Sequence, residues 1–205
     1  MKHLFFLLIS LSLFACTKHR EIKIIGRNAV TGQGYEGLAY KVVSSKTGND
    51  GEVYRTEATG NLDANGEAFV SIKQRKGRSY SLRVFEPSNN CYTNEVIQSF
   101  DSPYDVNGTF TFEFAECATL QRKVKNVNCV NSDDKIEIYI DNSVHSLLTT
   151  PWILNGCADY TTVPTQVPVG NYTLHWIVTK NGVSNDYYDS FYLSENEYKL
   201  YEINY

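Results

Sequence analysis

Methionine is almost missing from this 205-residue chain, with one residue at position 1, and proline is scarce at five. Alanine and leucine are also thin beyond residue 15: together they number 18, against 59 for Val, Ile, Thr and Tyr. The best helix formers are therefore outnumbered by side chains that suit a pleated, half-buried surface, which excludes a helical bundle. Excess positive charge is lacking too. Lys and Arg number 19 against 23 for Asp and Glu, a formal charge of −4, so no bulk attraction for nucleic acid or anionic lipid is expected. No apolar run reaches the roughly 18 residues of a membrane-spanning helix, which excludes a polytopic helical membrane protein. Hydrophobic residues at 42% and charged residues at 20% exclude wholesale disorder.

The chain has five cysteines, an odd number, so at least one stands outside any internal disulfide. The first follows a distinctive start. Lys2 and His3 form a short basic segment, and Leu4 to Ala15 then run without charge. Twelve such residues make about 18 Å of helix, short of the roughly 30 Å bilayer core, as in a signal sequence. The run ends in Leu13-Phe14-Ala15-Cys16. This ending resembles the lipobox of bacterial lipoproteins. The resemblance implies cleavage before Cys16 and lipidation of its thiol and new amino group. It implies a signal over residues 1–15 and a tether over 16–20. Acyl chains gain about 0.8 kcal/mol per buried CH₂, enough for several to anchor a folded domain. Thr17, where lipoprotein sorting reads Asp as an inner-membrane signal, points to the outer membrane. The basic tether Lys18-His19-Arg20 points towards the periplasm.

Beyond the tether, alternation is the dominant pattern. Phe110, Phe112 and Phe114 alternate with Thr109, Thr111 and Glu113; Ile136, Ile138 and Ile140 with Glu137 and Tyr139; Tyr172, Leu174, Trp176 and Val178 with Thr173 and His175. Such period-2 runs put one side on a core and the other towards water. Twelve strands are predicted, near 21–26, 37–44, 52–59, 67–74, 79–86, 109–115, 119–128, 135–141, 162–167, 171–179, 186–193 and 197–205. Asn181-Gly182 between two alternating runs is a hairpin signal, and Asp63-Ala64-Asn65-Gly66 precedes another strand. The expected architecture is all-β: two consecutive immunoglobulin-like or transthyretin-like β-sandwich domains over 21–117 and 118–205.

Ile24-Ile25-Gly26, Thr31-Gly32, Gly37 and the hairpin Asp63-Ala64-Asn65-Gly66 before Phe69 resemble the carboxypeptidase-regulatory-like or transthyretin-like β-sandwich family. Leu62 stands where Thr is usual in its pattern. The resemblance spans residues 24–72 and implies a non-catalytic spacer, stabiliser or adhesion unit. It speaks to fold far more than to function.

Cys91, Cys117, Cys129 and Cys157 remain after Cys16. In an exported protein four cysteines favour disulfides, with three connectivities open. Cys91–Cys117 and Cys129–Cys157 are preferred, since each then stays within one expected domain. Paired C-x₂-C spacings are lacking, so no metal site is expected. Asn61-x-Asp63-x-Asn65-Gly66 resembles the start of a calcium loop, but Ile72 stands where a bidentate Glu belongs. A side-chain-capped turn is the competing reading. Lys73, Arg75, Lys76 and Arg78 crowd one turn, as a phosphate contact or a solvated hairpin tip.

The second half holds both Trp and nine of the fifteen Tyr. Trp152, Trp176, Tyr198 and Tyr201 are therefore candidate ligand-binding residues, since aromatic rings stack on sugar faces. Core packing is the competing role. G-x-S-x-G, H-E-x-x-H and glycine-rich phosphate loops are lacking. The expectation is a non-enzymatic, cofactor-free envelope lipoprotein that binds or scaffolds an envelope protein, with glycan binding as the alternative.

Overall fold

The computed structural model describes residues 19–48, 51–73, 75, 77–100, 108–145 and 150–205. Cys16 and the N-terminal apolar segment lie outside the described residues. Among the described residues there is no helix. The strands, in chain order, are β1 (His19–Asn28), β2 (Ala39–Gly48), β3 (Gly51–Asn61), β4 (Glu67–Lys73), β5 (Ser79–Val84), β6 (Asn90–Thr93), β7 (Gln98–Phe100), β8 (Thr109–Lys125), β9 (Lys135–Asn142), β10 (Trp152–Asn155), β11 (Asp159–Thr161), β12 (Thr165–Pro168), β13 (Gly170–Lys180), β14 (Val183–Leu193) and β15 (Tyr198–Asn204).

They form two compact units. The first holds the described residues within 1–26, 34–85 and 95–112; the second holds those within 27–33, 86–94 and 113–205. The units are thus interleaved in sequence, whereas a single cut at 117/118 was expected. That cut falls inside β8, a 17-residue strand where the sequence pattern suggested two. The strand is hard to recognise because its alternation changes phase twice: Phe114 and Ala115 are both buried, as are Cys117 and Ala118.

In the first unit one sheet runs β3-β2-β5-β7, and β1 pairs with β4 over Arg20↔Ile72 to Ile25↔Glu67. Ile22, Ile24, Val70 and Ile72 from one layer and Val42, Leu82 and Val84 from the other are buried. Burying each is worth roughly 1.5–3 kcal/mol over leaving it exposed. The hairpin before β4 is closed by its own side chain. Asp63 Oδ1 accepts the backbone N–H groups of Asn65 and Glu67, both at 2.9 Å, so this carboxylate caps a turn. Gly66 has φ +73°, and a Cβ there would stand 2.4 Å from the Gly26 carbonyl oxygen. The basic turn is drawn inward at two points. Arg75 lies 3.7 Å from Glu57, and Arg78 donates to the buried Ser44 hydroxyl at 3.2 Å. Gln74 and Lys76 lie outside the described residues.

In the second unit one sheet runs β10-β9-β13-β14. Facing it, β8 pairs with β6, β11 and β12 antiparallel and with β15 in parallel. The Asn181-Gly182 turn has φ of 51° and 77°, both in the region a type I′ hairpin needs. It joins β13 and β14 in unbroken register from Lys180↔Val183 to Gly170↔Leu193. Tyr172, Leu174, Ile136, Ile138, Val124 and Leu193 form the centre of the core. The Tyr172 hydroxyl donates to the Pro168 carbonyl at 2.6 Å. Burial pushes that phenol up to about 12.

Two disulfides, Cys91–Cys117 and Cys129–Cys157, both lie in this unit. The second closes a loop that also has a polar centre. Asp134 Oδ2 accepts from Val130 N and Asn126 Nδ2, both at 2.9 Å, and Lys180 donates to Asn126 Oδ1 at 3.0 Å. The Val130 amide and then the Asn126 amide hold the Asp134 carboxyl below the ordinary carboxylate range.

Candidate functional site

Strand parity separates the four aromatic candidates. Trp152 on β10 and Trp176 on β13 flank Ile138 of β9 in one cross-strand row. Ile138 is buried, so that row faces the core and both indoles are half-buried. Trp176 stacks on Tyr187 at 5.8 Å between ring centroids. Trp152 meets Tyr160 edge-on at 5.3 Å and carries the Arg122 guanidinium 5.1 Å above its ring.

Tyr198 and Tyr201 are three residues apart in β15, so they point to opposite sides. Tyr201 is core-side: its ring stacks on Phe191 at 4.9 Å and its hydroxyl donates to Asp189. Burial first, and the Asp189 bond second, push its hydroxyl pKa up. The same hydrogen bond holds the Asp189 carboxyl low. Tyr198 is 56% exposed, and its hydroxyl donates to Gln121. The four residues therefore do not make a single platform.

A stacked aromatic row lies on the opposite face of the β10-β9-β13-β14 sheet. Tyr139, His175 and Tyr188 fall in one row, through the pairs His175↔Tyr139 and His175↔Tyr188. Their rings stack: 5.3 Å and 16° from Tyr139 to His175, then 4.5 Å and 5° from His175 to Tyr188. Asp186 fixes the imidazole, with Oδ1 at 2.6 Å from Nε2. Tyr188 is 73% exposed. Beside the row lies a depression of about 260 Å³, whose lining includes Thr173 and Asp141. With both imidazole faces covered by the two tyrosines, the exposed Tyr188 ring is the part of the row that can stack on an apolar ring face, with Asp141 and Thr173 nearby to hydrogen-bond its substituents. The sequence signal was present: His175 sits on the outward parity of β13. Its two tyrosine neighbours follow only from strand register.

A second depression, of about 230 Å³, is lined by Leu120, Arg122, Ile140, Val167, Tyr172 and two threonines. Burial lowers the Arg122 pKa from its ordinary value. This arginine was legible as well, since Ala118, Leu120, Arg122 and Val124 share one parity on β8.

Neither a family model nor a curated protein matches the chain, so the carboxypeptidase-regulatory-like resemblance rests on residues 24–72 alone. Among solved structures, the chain is similar to the Bacillus anthracis TIE protein, at 14% identity over 91% of this chain and 33% of that one, TM-score 0.34. It is similar to a streptococcal ancillary pilin, at 16% identity over 93% and 63%, TM-score 0.36. It is also similar to the shaft pilin SpaA of Lactobacillus rhamnosus GG, at 9% identity over 92% and 97%, TM-score 0.35. The chain thus spans a third of the first protein and just under two thirds of the second. At these scores the likeness assigns no function.

Proposed function

We propose that this chain is a non-enzymatic cell-envelope lipoprotein that works as a binding or scaffold module. In this reading it is held at the outer membrane through Cys16 and faces the periplasm. One observation carries it. Four of the five cysteines close into Cys91–Cys117 and Cys129–Cys157, which leaves Cys16 as the odd one, directly after Leu13-Phe14-Ala15. Structural disulfides belong to oxidising compartments, and the leftover cysteine stands where a lipobox places its lipidated residue. A β-sheet unit cross-linked by two disulfides suits a rigid module held outside the cytoplasm. The test is membrane partition of the wild type, of Cys16→Ala, and of the wild type treated with globomycin. The reading expects Cys16→Ala to leave the membrane fraction and globomycin to accumulate the unprocessed form. Unaltered processing and partition in both would sink it.

A second reading, glycan binding, is favoured by the exposed Tyr188 ring at the end of the stacked row Tyr139–His175–Tyr188. A glycan array probed with wild type, Tyr188→Ala and Trp176→Ala separates it from the first. Binding that Tyr188→Ala loses and Trp176→Ala keeps supports this reading. No binding to any glycan counts against it.

A further inference from the structure

Four consecutive core-parity residues of β8 read Ala118, Leu120, Arg122, Val124. The three apolar ones are buried at 5% exposure or less. Arg122 takes the same direction, yet its guanidinium stays ionised at any ordinary pH. A charge placed among apolar groups is costly unless an anion meets it. Among the described residues no carboxylate forms an ion pair with Arg122. The Trp152 ring is its cation–π partner. The arginine instead lines the depression of about 230 Å³ whose walls are Leu120, Ile140, Val167 and Tyr172. Thr162 completes the rim. Its hydroxyl accepts the Arg122 backbone N–H at 2.9 Å, so its own proton can be donated outward.

We propose that this depression binds a small monocarboxylate with an apolar tail, the carboxylate paired with Arg122 and the tail among the aliphatic walls. The chemistry selects the class. A guanidinium presents a planar fork that matches a carboxylate with two parallel hydrogen bonds. One positive charge without a carboxylate partner calls for a monoanion, and Leu120, Ile140, Val167 and the Tyr172 ring make up the rest of the lining apart from Thr162 and Thr165. At roughly 30 Å³ for a water-sized group, the volume takes about eight such groups, the size of a six-carbon acid. The inference goes beyond the scaffold reading and stands whether or not Cys16 carries lipid.

The test is titration of the full chain with sodium hexanoate, read by calorimetry and by tryptophan emission, with hexan-1-ol as the neutral counterpart. Hexanoate is expected to bind saturably and at least tenfold more tightly than hexan-1-ol. Arg122→Leu is expected to weaken hexanoate at least tenfold while leaving hexan-1-ol unchanged. Val167→Trp, which fills the depression, abolishes both. Trp176→Phe keeps the emission change and Trp152→Phe loses it. Absence of saturable hexanoate binding overturns the proposal, as does equal affinity for the alcohol, or full binding in Val167→Trp. Should Arg122→Leu fail to fold, the alcohol comparison and Val167→Trp decide the matter.

Discussion

Replacing both Cys129 and Cys157 by alanine opens a cross-link between residues 28 apart in the chain. In the chain-entropy model a loop of that length removes about 12 cal/mol/K from the unfolded ensemble, or about 3.6 kcal/mol at 25 °C. The folded side of the balance should change little. Cys157 is exposed and Cys129 only half-buried, so the substitution leaves no core cavity. The loop ends keep other ties: Gly156 N donates to the Asp134 carbonyl at 2.7 Å, and Asn126 Nδ2 to the Gly156 carbonyl at 3.0 Å. By contrast, Cys117 of the other bridge is buried at 5% exposure, so its removal would mix packing loss with entropy. The second unit has roughly 110 residues, for which about 3.6 kcal/mol corresponds to a fall in Tm of roughly 15 °C. Both tryptophans lie in this unit, so urea unfolding followed by tryptophan emission reports on it selectively. A loss below about 1 kcal/mol would refute the cross-link argument. A loss above about 6 kcal/mol would show that the bridge organises the folded loop itself.

Further outcomes follow from particular residues. Gly66→Ala forces a left-handed conformation that costs an alanine about 1–2 kcal/mol and sets a Cβ against the Gly26 carbonyl; the first unit should melt earlier by calorimetry, and an unchanged Tm would contradict the geometry. Asp134 has a depressed folded pKa, so its contribution is present above the unfolded value near 3.9 and is lost as pH falls through the folded one. Asp134→Asn should therefore be less stable than wild type at pH 7 and converge with it in acid, as followed by unfolding between pH 7 and pH 2. Arg78→Ala strips a donor from the buried Ser44, whose hydroxyl itself donates to Glu57 at 2.7 Å, and should lower stability by about 1 kcal/mol in urea titration; a change within error would show that the bond to Glu57 alone satisfies that hydroxyl.

The fold was readable wherever local chemistry decides it. Asn181-Gly182 specifies its turn through two positive φ angles, and the flanking alternation of β13 and β14 then fixes their register. The all-β class followed from composition for the same reason, since each side chain states its own preference. Long-range pairing is what escaped. β6, β7, β10 and β11 have three or four residues each, too few to show a period, and they exist because β8, β9 or β5 offers them a ladder. The sequence of β8 suggests two strands because its buried pairs Phe114-Ala115 and Cys117-Ala118 break the alternation.

The candidate site shows the same division. Tyr198 and Tyr201 differ by an odd number, so their opposite directions were already present in the sequence. The row Tyr139–His175–Tyr188 needs the register of three strands, which no local signal supplies. Arg75 and Arg78 look like a solvated cluster until Glu57 and Ser44, remote in sequence, are placed beside them.

The central claim is that Cys16 is a lipid attachment point while the other four cysteines are paired. Intact-mass spectrometry of the protein from the membrane fraction, with and without reduction, tests it directly. The account predicts a chain that begins at Cys16, carries a diacylglyceryl group and an amide-linked acyl chain, and gains four hydrogens on reduction. A chain that retains residues 1–15, or one with an unmodified Cys16 thiol, would contradict it.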